Sequence, residues 1–111
     1  MTRTLSIAQQ FSRTPGPRFE SEGQFSGEEF RRTVLLPLVR EAMGERSKLA
    51  VDLDGTAGYG TSFLEEAFGG LVRHDNIKST ELLALLEFKS NEEPYLTEDV
   101  RTYITEATPA Q

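Results

Sequence analysis

Residues 48–73 constrain the fold more than any other stretch, because three kinds of backbone signal follow one another there. Apolar side chains alternate with polar or small ones from Leu49 to Leu53, the period of two that indicates a strand with two different faces. Three glycines within residues 54–60 then favour a loop, since glycine readily adopts tight turns and positive φ angles. From Ser62 onward the apolar residues recur with helical spacing. We predict a strand near the middle of a sheet, a glycine loop and a helix.

Two serines, each followed three residues later by a glutamate, predict where helices begin. In such a capping box the serine hydroxyl and the glutamate carboxylate satisfy free backbone donors of the first turn. Ser26 is predicted to cap a helix that ends near Gly44, and Ser62 to cap the helix after the glycine loop. Pro37 lies inside the first of these helices, where it removes a backbone hydrogen bond. A kink is expected there rather than a break, because the apolar stripe resumes in phase at Leu38.

The N-terminal region is predicted to form a hairpin. Leu5 and Ile7 alternate with polar residues within Thr4–Phe11, which indicates a first strand. The sequence T-P-G-P at Thr14–Pro17 is typical of a turn. Residues Arg18–Glu20 would then form the second strand.

The C-terminal region leaves one element open. The leucines of Ser79–Phe88 fit a short helix, whereas the alternation at its end fits a strand, so both interpretations stand at this point. After a turn at Asn91–Pro94, Thr97 is predicted to cap a last helix, with acidic residues near its positive end. The tail from about residue 108 is predicted to be frayed, as chain ends often are.

The order of these motifs resembles a known family. V-D-L-D-G before a loop that ends in G-T-S-F, followed by a helix with E-A-F-G-G-L-V, looks like the STAS-like domain of unknown function found in bacterial proteins. That family is itself similar to the STAS domain of anti-sigma factor antagonists. The resemblance extends back over S-G-E-E-F at Ser26–Phe30 and G-P-R-F at Gly16–Phe19.

The resemblance implies one α/β domain over residues 1–111, with a small mixed β-sheet and helices packed mainly on one face. It also favours a helix from about Thr80, followed by a strand from about Leu86 to Lys89. A chain of this length is large enough to fold around one core of its own.

Composition excludes several classes of function. Cysteine is absent, so a disulfide framework, a thiolate metal site and a cysteine nucleophile are all excluded. The net charge of -6 argues against a nucleic-acid partner, because such proteins neutralise phosphates with basic side chains. No apolar run has the length of a signal peptide or a membrane span. We therefore expect a location in a bacterial cytoplasm.

Thr61 and Ser62 are the predicted phosphoacceptor residues, and this prediction is implied by the resemblance. The antagonists carry a phosphorylatable serine where the loop meets the helix, and the matching position here is Thr61, with Ser62 directly after it. A phosphate there would meet free backbone donors and the positive end of the helix dipole. The antagonists usually have an aspartate before the phosphoserine, whereas this chain has Gly60. The alternative is that Ser62 only caps the helix and Thr61 only ends the loop.

The resemblance implies a non-enzymatic signalling module that binds a regulatory protein, either an anti-sigma-like or a histidine-kinase-like ATPase. No lysine, arginine or histidine occurs between Leu49 and Val72, so a phosphate would add like charge and favour partner release. No cofactor or metal is predicted. The predicted partner-binding residues are Asp54, Tyr59, Gly60, Thr61, Ser62, Glu65 and Glu66.

Two other functions remain as alternatives. A small-ligand sensor would hold an anion or a nucleotide on the glycine backbone of Gly58–Gly60. That loop contains no lysine, so its spacing is weak evidence for a phosphate cradle. A structural or assembly subunit would instead use an exposed sheet edge or the Gly69–Gly70 helix face, where a neighbouring strand or a partner helix would approach closely.

Three further sites have a structural and a functional interpretation. Asp52 and Asp54 would suit a metal or acid–base pair, but acids at a strand end more often cap the following loop. His74 follows a helix, where the dipole favours a cation. Arg18 is expected to pair with one of the surplus acids of this chain rather than with a partner.

Overall fold

The computed structural model describes residues 2–109, and these form three strands and five helices. The predicted frayed tail lies partly outside them, at residues 110–111. Two of the helices, over residues 27–45 and 61–73, are each continuous through a central π-helical segment. The strands are β1 (Thr2–Ser6), β2 (Lys48–Asp52) and β3 (Leu86–Lys89), and the helices are α1 (Ile7–Gln10), α2 (27–45), α3 (61–73), α4 (Ser79–Leu85) and α5 (Tyr95–Glu106).

The described sheet has the order β1-β2-β3, and both strand pairs are parallel. The central position of β2 is confirmed, as is the helix followed by a strand within residues 79–89. The predicted mixed sheet is wrong. Helices connect β1 to β2 and β2 to β3, and such crossover connections place neighbouring strands in parallel. The α/β class of the domain is confirmed.

The predicted N-terminal hairpin is also wrong. Leu5 does lie in a strand, but Ile7 already belongs to α1, whose start is capped by the Ser6 hydroxyl. Oγ of Ser6 accepts from the backbone N of Gln9 at 3.2 Å. The partner of β1 is β2, while Arg18–Glu20 lies in a loop that ends in a short 3-10 turn.

One face of the sheet supplies the core. Leu49 and Val51 of β2 are fully buried, together with Leu5 of β1 and Leu86 of β3 beside them in register. The core aromatics come from α2 and α3, where the rings of Phe30 and Phe63 stack with their centroids 5.8 Å apart. The other face carries exposed polar side chains, including Thr4, Lys48, Glu87 and Lys89. The expected packing of helices mainly on one face is therefore confirmed.

Helix α2 passes through Pro37 without a break, as predicted. The helix is α-helical over Gly27–Phe30, widens to a π-helix over Arg31–Leu35 and is α-helical again over Leu36–Glu45. The backbone N of Leu36 bonds to the carbonyl of Arg31, five residues earlier. Proline lacks an N–H donor and clashes with the carbonyl four residues before it, so a wider turn just before Pro37 accommodates the ring.

Helix α2 ends at Glu45, one residue beyond the predicted stop at Gly44, and is followed by an arginine in the left-handed conformation. Gly44 lies inside the helix, and Arg46 follows its end with φ 55° and ψ 36°. The backbone N of Ser47 bonds to the carbonyl of Ala42 at 2.9 Å, and that of Arg46 bonds to the carbonyl of Met43 at 3.2 Å. This pair of bonds is a Schellman motif, whose left-handed residue is usually glycine.

Of the three predicted helix caps, only Ser26 is confirmed. Its hydroxyl accepts from the backbone N of Glu29 at 2.9 Å. Helix α3 begins at Thr61 behind an extended Gly60, so Ser62 lies within its first turn and is not the cap. Helix α5 begins at Tyr95, which places Thr97 inside it as well. Gly60 before α3 is extended, whereas Pro94 before α5 already has helical φ and ψ angles.

Replacing Ser26 and Ser62 separately should show which of the two serines caps its helix. Ser26→Ala removes the acceptor from a buried helix start and is expected to lower the free energy of unfolding by about 1 kcal/mol. Ser62→Ala is the matched control and should change it by less than about 0.5 kcal/mol. Urea denaturation followed by circular dichroism measures both values. Equal losses for the two variants would contradict this assignment of the caps.

Candidate functional site

The loops at the carboxyl ends of β2 and β3 are tied together by side chains. The carboxylate of Asp54 accepts from the backbone N of Asn91 at 3.0 Å and from that of Glu92 at 2.9 Å. In return, Oε1 of Glu92 accepts from the backbone N of Gly55 at 2.9 Å. This edge is where open parallel sheets hold their binding sites. These hydrogen bonds hold the glycine loop in a fixed position at this edge of the sheet.

Asp52 and Asp54 act as loop caps in this arrangement. Oδ1 of Asp52 accepts from the backbone N of Asp54 at 2.9 Å. The hydrogen bonds from Glu92 and Asn91 hold the pKa of Asp54 below its usual range. Of the two interpretations of this pair, the structure supports loop capping. Within residues 2–109, no three histidine, aspartate or glutamate side chains are grouped so that they could hold a metal ion.

Tyr59 anchors the glycine loop to the core. Its hydroxyl donates to the carbonyl of Leu53 at 2.8 Å, and its ring packs against Phe63 with centroids 5.9 Å apart. Burial raises the pKa of the Tyr59 phenol well above its usual value. Because the side chain is half-buried, only part of its ring is available to a partner.

Gly60, Thr61 and Ser62 form an exposed patch at the start of α3. Thr61 and Ser62 are the first two residues of the helix, and the side chains described by the structure offer no capping hydrogen bond to this turn. The backbone donors of a first turn have no partner inside their own helix. The predicted phosphoacceptor hydroxyls are thus solvent-accessible and lie beside uncapped backbone N–H groups.

Glu65 and Glu66 do not belong to that patch. Both belong to a charge cluster, which comprises Arg18, Arg31, Glu65, Glu66, Arg73, His74 and Asp75. Glu66 is only 2% exposed and lies within 3.2 Å of Nη2 of Arg73 and 3.5 Å of Nη2 of Arg31. A carboxylate at this depth has little surface to offer a partner. The prediction that Glu66 contacts a partner does not fit its burial.

Glu65 holds the outer side of the charge cluster. Its two oxygens accept from Nη1 and Nη2 of Arg73 at 2.9 and 3.1 Å, and Oε1 also accepts from Nη1 of Arg18. This confirms the expectation that Arg18 pairs with an acid of its own chain. On the inner side, Nη1 of Arg31 donates to Oδ2 of Asp75 at 2.8 Å. His74 follows α3, with Nε2 at 3.7 Å from Oε2 of Glu66.

The charge cluster also explains the two glycines of α3. A methyl group at Gly70 would lie 2.7 Å from Nε of Arg31, and one at Gly69 would lie 2.6 Å from Oε2 of Glu65. The group that approaches this face is therefore the chain's own charge cluster. Neither of the predicted neighbours, a strand or the helix of a partner, is required. Arg31 was not predicted to approach this face. The two glycines shortly after two glutamates were the sequence signal that could have indicated a charged neighbour.

The stability of the domain should depend on pH through Glu65. Burial alone would raise the pKa of Glu65, but the hydrogen bonds from Arg73 and Arg18 outweigh it and lower the pKa below 4.5. A carboxylate whose pKa is lower in the folded state stabilises the fold above its unfolded value, and this contribution disappears as pH falls through the folded value.

The measurement compares urea midpoints of wild type and Glu65→Gln between about pH 7 and about pH 3. Wild type should lose more stability than the variant over this range. Curves that fall in parallel would show that Glu65 contributes nothing to the acid sensitivity. Glu106→Gln, at an exposed position in the last turn of α5, is the control and should follow wild type.

More than half of the chain matches a known protein family. Residues 26–96, from the Ser26 cap of α2 to the first turn of α5, match the family model described as a STAS-like domain of unknown function. The chain belongs to this STAS-like family. The match includes β2, β3 and helices α2 to α4, whereas Gly16–Phe19 precedes it.

The function of the STAS-like family is not defined, so the match establishes the family of this chain but not its function. No curated protein and no solved structure matches the chain. None of the helices within residues 2–109 is both long enough and apolar enough to cross a membrane.

Proposed function

We propose that this STAS-like domain is a non-enzymatic interaction module that binds a regulatory protein through the start of α3. The supporting observation is the exposed patch of Gly60, Thr61 and Ser62, next to uncapped backbone donors. Part of the Tyr59 ring borders it, and Asp54 braces the loop behind it. A rigid loop on a rigid sheet presents one defined surface, which reduces the entropy lost on binding.

The roles of the neighbouring acids support a binding function over catalysis. Asp52, Asp54 and Glu92 use their carboxylates to hold backbone N–H groups of the two loops. Glu65 and Glu66 are engaged with arginines. A general base must be free to accept a proton from a substrate. Each of these carboxylates instead has a structural partner.

We further propose that phosphorylation of Thr61 or Ser62 switches the interaction. In this step a nucleoside triphosphate donates its terminal phosphoryl group to the hydroxyl oxygen, the diphosphate leaves, and the hydroxyl proton is released. The phosphate would meet the free N–H groups of the first turn and the positive end of the α3 dipole. It would also add two negative charges to the patch and so displace a partner suited to the neutral hydroxyls. The resemblance to anti-sigma factor antagonists suggests an anti-sigma-like or histidine-kinase-like ATPase as that partner.

The test is affinity capture from bacterial cytoplasm with wild type, Thr61→Glu and a matched control. Thr80→Glu is the control, because Thr80 is also an exposed threonine in the first turn of a helix. Wild type and Thr80→Glu should retain a regulatory ATPase that Thr61→Glu loses. Calorimetry with the purified partner should show binding at least about tenfold weaker for Thr61→Glu, a difference of about 1.4 kcal/mol. Equal binding by all three proteins would reject the switch, and capture of no regulatory protein would reject the interaction.

A further inference from the structure

A cavity of about 420 Å³ lies at the amino edge of the sheet, between the end of α2 and helix α4. Ser47, the residue just before β2, forms its floor, so the length of β2 separates it from the loop that carries Thr61. It is shallow and mostly open to solvent, with room for one small organic molecule. None of the loops or ion pairs described above uses it.

One wall of this cavity is apolar. It is formed by Met43 near the end of α2 and by Ala84 and Leu85 at the end of α4. The Met43 side chain is 38% exposed, which makes it one of the few large apolar side chains on the surface of the described residues. An apolar body packed between Met43 and Leu85 would remove this surface from water.

The floor contains a buried hydroxyl without a partner. Ser47 is only 5% exposed, and within residues 2–109 its Oγ makes no hydrogen bond. A buried polar group without a hydrogen bond destabilises the free protein, and such groups are uncommon in native structures. A ligand oxygen placed beside Ser47 would supply the missing acceptor.

The rim of the cavity is positively charged although the chain as a whole is acidic. Arg46 and Lys48 contribute two cations and Glu81 one anion. Arg46 forms no ion pair with the described residues, and the closest acid to Lys48 is Glu87 at 3.9 Å. Arg46 also holds a left-handed conformation that glycine would adopt more readily. The guanidinium of Arg46 is exposed and is therefore available to a ligand at the rim.

We propose that this cavity binds a small organic monocarboxylate with an apolar body. The carboxylate lies between Arg46, Lys48 and the Ser47 hydroxyl, and the apolar body lies against Met43 and Leu85. A singly charged ligand fits, because the lining has one cation in excess. Arginine binds carboxylates with two parallel hydrogen bonds, which provides specificity as well as affinity.

The experiment titrates the full chain with hexanoate and with benzoate, and follows the backbone amide NMR signals. Saturable shifts confined to residues 43–48 and 81–85 are expected. Hexanamide and benzamide have the same shapes without the charge, and they should bind at least about tenfold more weakly. Equal binding of acid and amide would overturn the carboxylate assignment. No saturable shift at about 10 mM acid would overturn the site itself.

Three variants locate the carboxylate. Arg46→Gly removes the guanidinium while relaxing the backbone, so it should fold at least as well as wild type and bind hexanoate about tenfold more weakly. Ser47→Ala should raise the thermal midpoint of the free protein and weaken binding. Arg40→Gly replaces an exposed arginine of α2 outside the cavity, and should leave hexanoate binding unchanged. Unchanged binding by Arg46→Gly would contradict the proposal.

Discussion

Glu66→Gln should lower the free energy of unfolding by about 3 kcal/mol, one of the two largest effects expected in this domain. Glu66 is 2% exposed and is surrounded by side chains of Arg18, Arg31 and Arg73. The substitution preserves size and removes one of the two acids paired with each guanidinium, so among the described residues Arg31 keeps only Asp75, and Arg18 and Arg73 keep only Glu65. Removing one partner from a buried ion pair is expensive because the other charge remains desolvated.

Urea denaturation at neutral pH measures this loss, with Glu65→Gln as the matched comparison. Glu65 is the preceding residue and also pairs with Arg73 and Arg18, but its side chain is 24% exposed, so water compensates part of its loss. We expect a clearly smaller effect for Glu65→Gln. If both variants lose the same stability, burial is not what makes Glu66 important.

Gly27→Ala should destabilise the domain by about 3 kcal/mol, because it forces two helices apart. Gly27 begins α2 and packs against the first turn of α3. A methyl group there would lie 2.4 Å from the carbonyl oxygen of Phe63 and 3.1 Å from its Cα. These are backbone atoms, so no side-chain rotation relieves the clash. The shift would also disturb the stacked rings of Phe30 and Phe63.

Gly44→Ala provides the control within the same helix. A methyl group at Gly44 would meet nothing within 4 Å. Alanine is a better helix former than glycine by up to about 1 kcal/mol, so this variant should be more stable than wild type. Thermal unfolding of both variants would show opposite shifts of the midpoint. A loss in both would mean that glycine is required in α2 for a reason other than the contact with Phe63.

The features that the sequence predicts well are those set by neighbouring residues. The alternation from Leu49 to Leu53 and the glycines after it specify β2 and its loop, and the periodicity after Ser62 specifies α3. The start of α3 was two residues off, with Gly60 and not Ser62 in the cap position, because an extended Gly60 ends the loop as well as a serine cap would. Local sequence patterns predict the type of an element, helix or strand, more reliably than the residue at which it begins.

The features that were mispredicted depend on residues far apart in the chain. The alternation around Leu5 is the same whether its strand pairs with the next segment or with β2 across α2. The glycines of α3 indicated a close approach, yet only the structure shows that Arg31 makes it. For the same reason Glu66 looked like a surface acid until its arginine partners were brought together.

The parallel arrangement of the sheet has a consequence for how the chain folds. Thr2 pairs with Lys48 and Leu49 pairs with Leu86. Strands β1 and β2 therefore each pair with a strand that lies dozens of residues further along the chain. Contacts of this kind require long loops to close before they contribute stability, and high contact order slows folding. During synthesis, β1 leaves the ribosome well before β2 exists. Helix α2, with its cap at Ser26, is the first long helix able to form, and the sheet must assemble late and cooperatively around it.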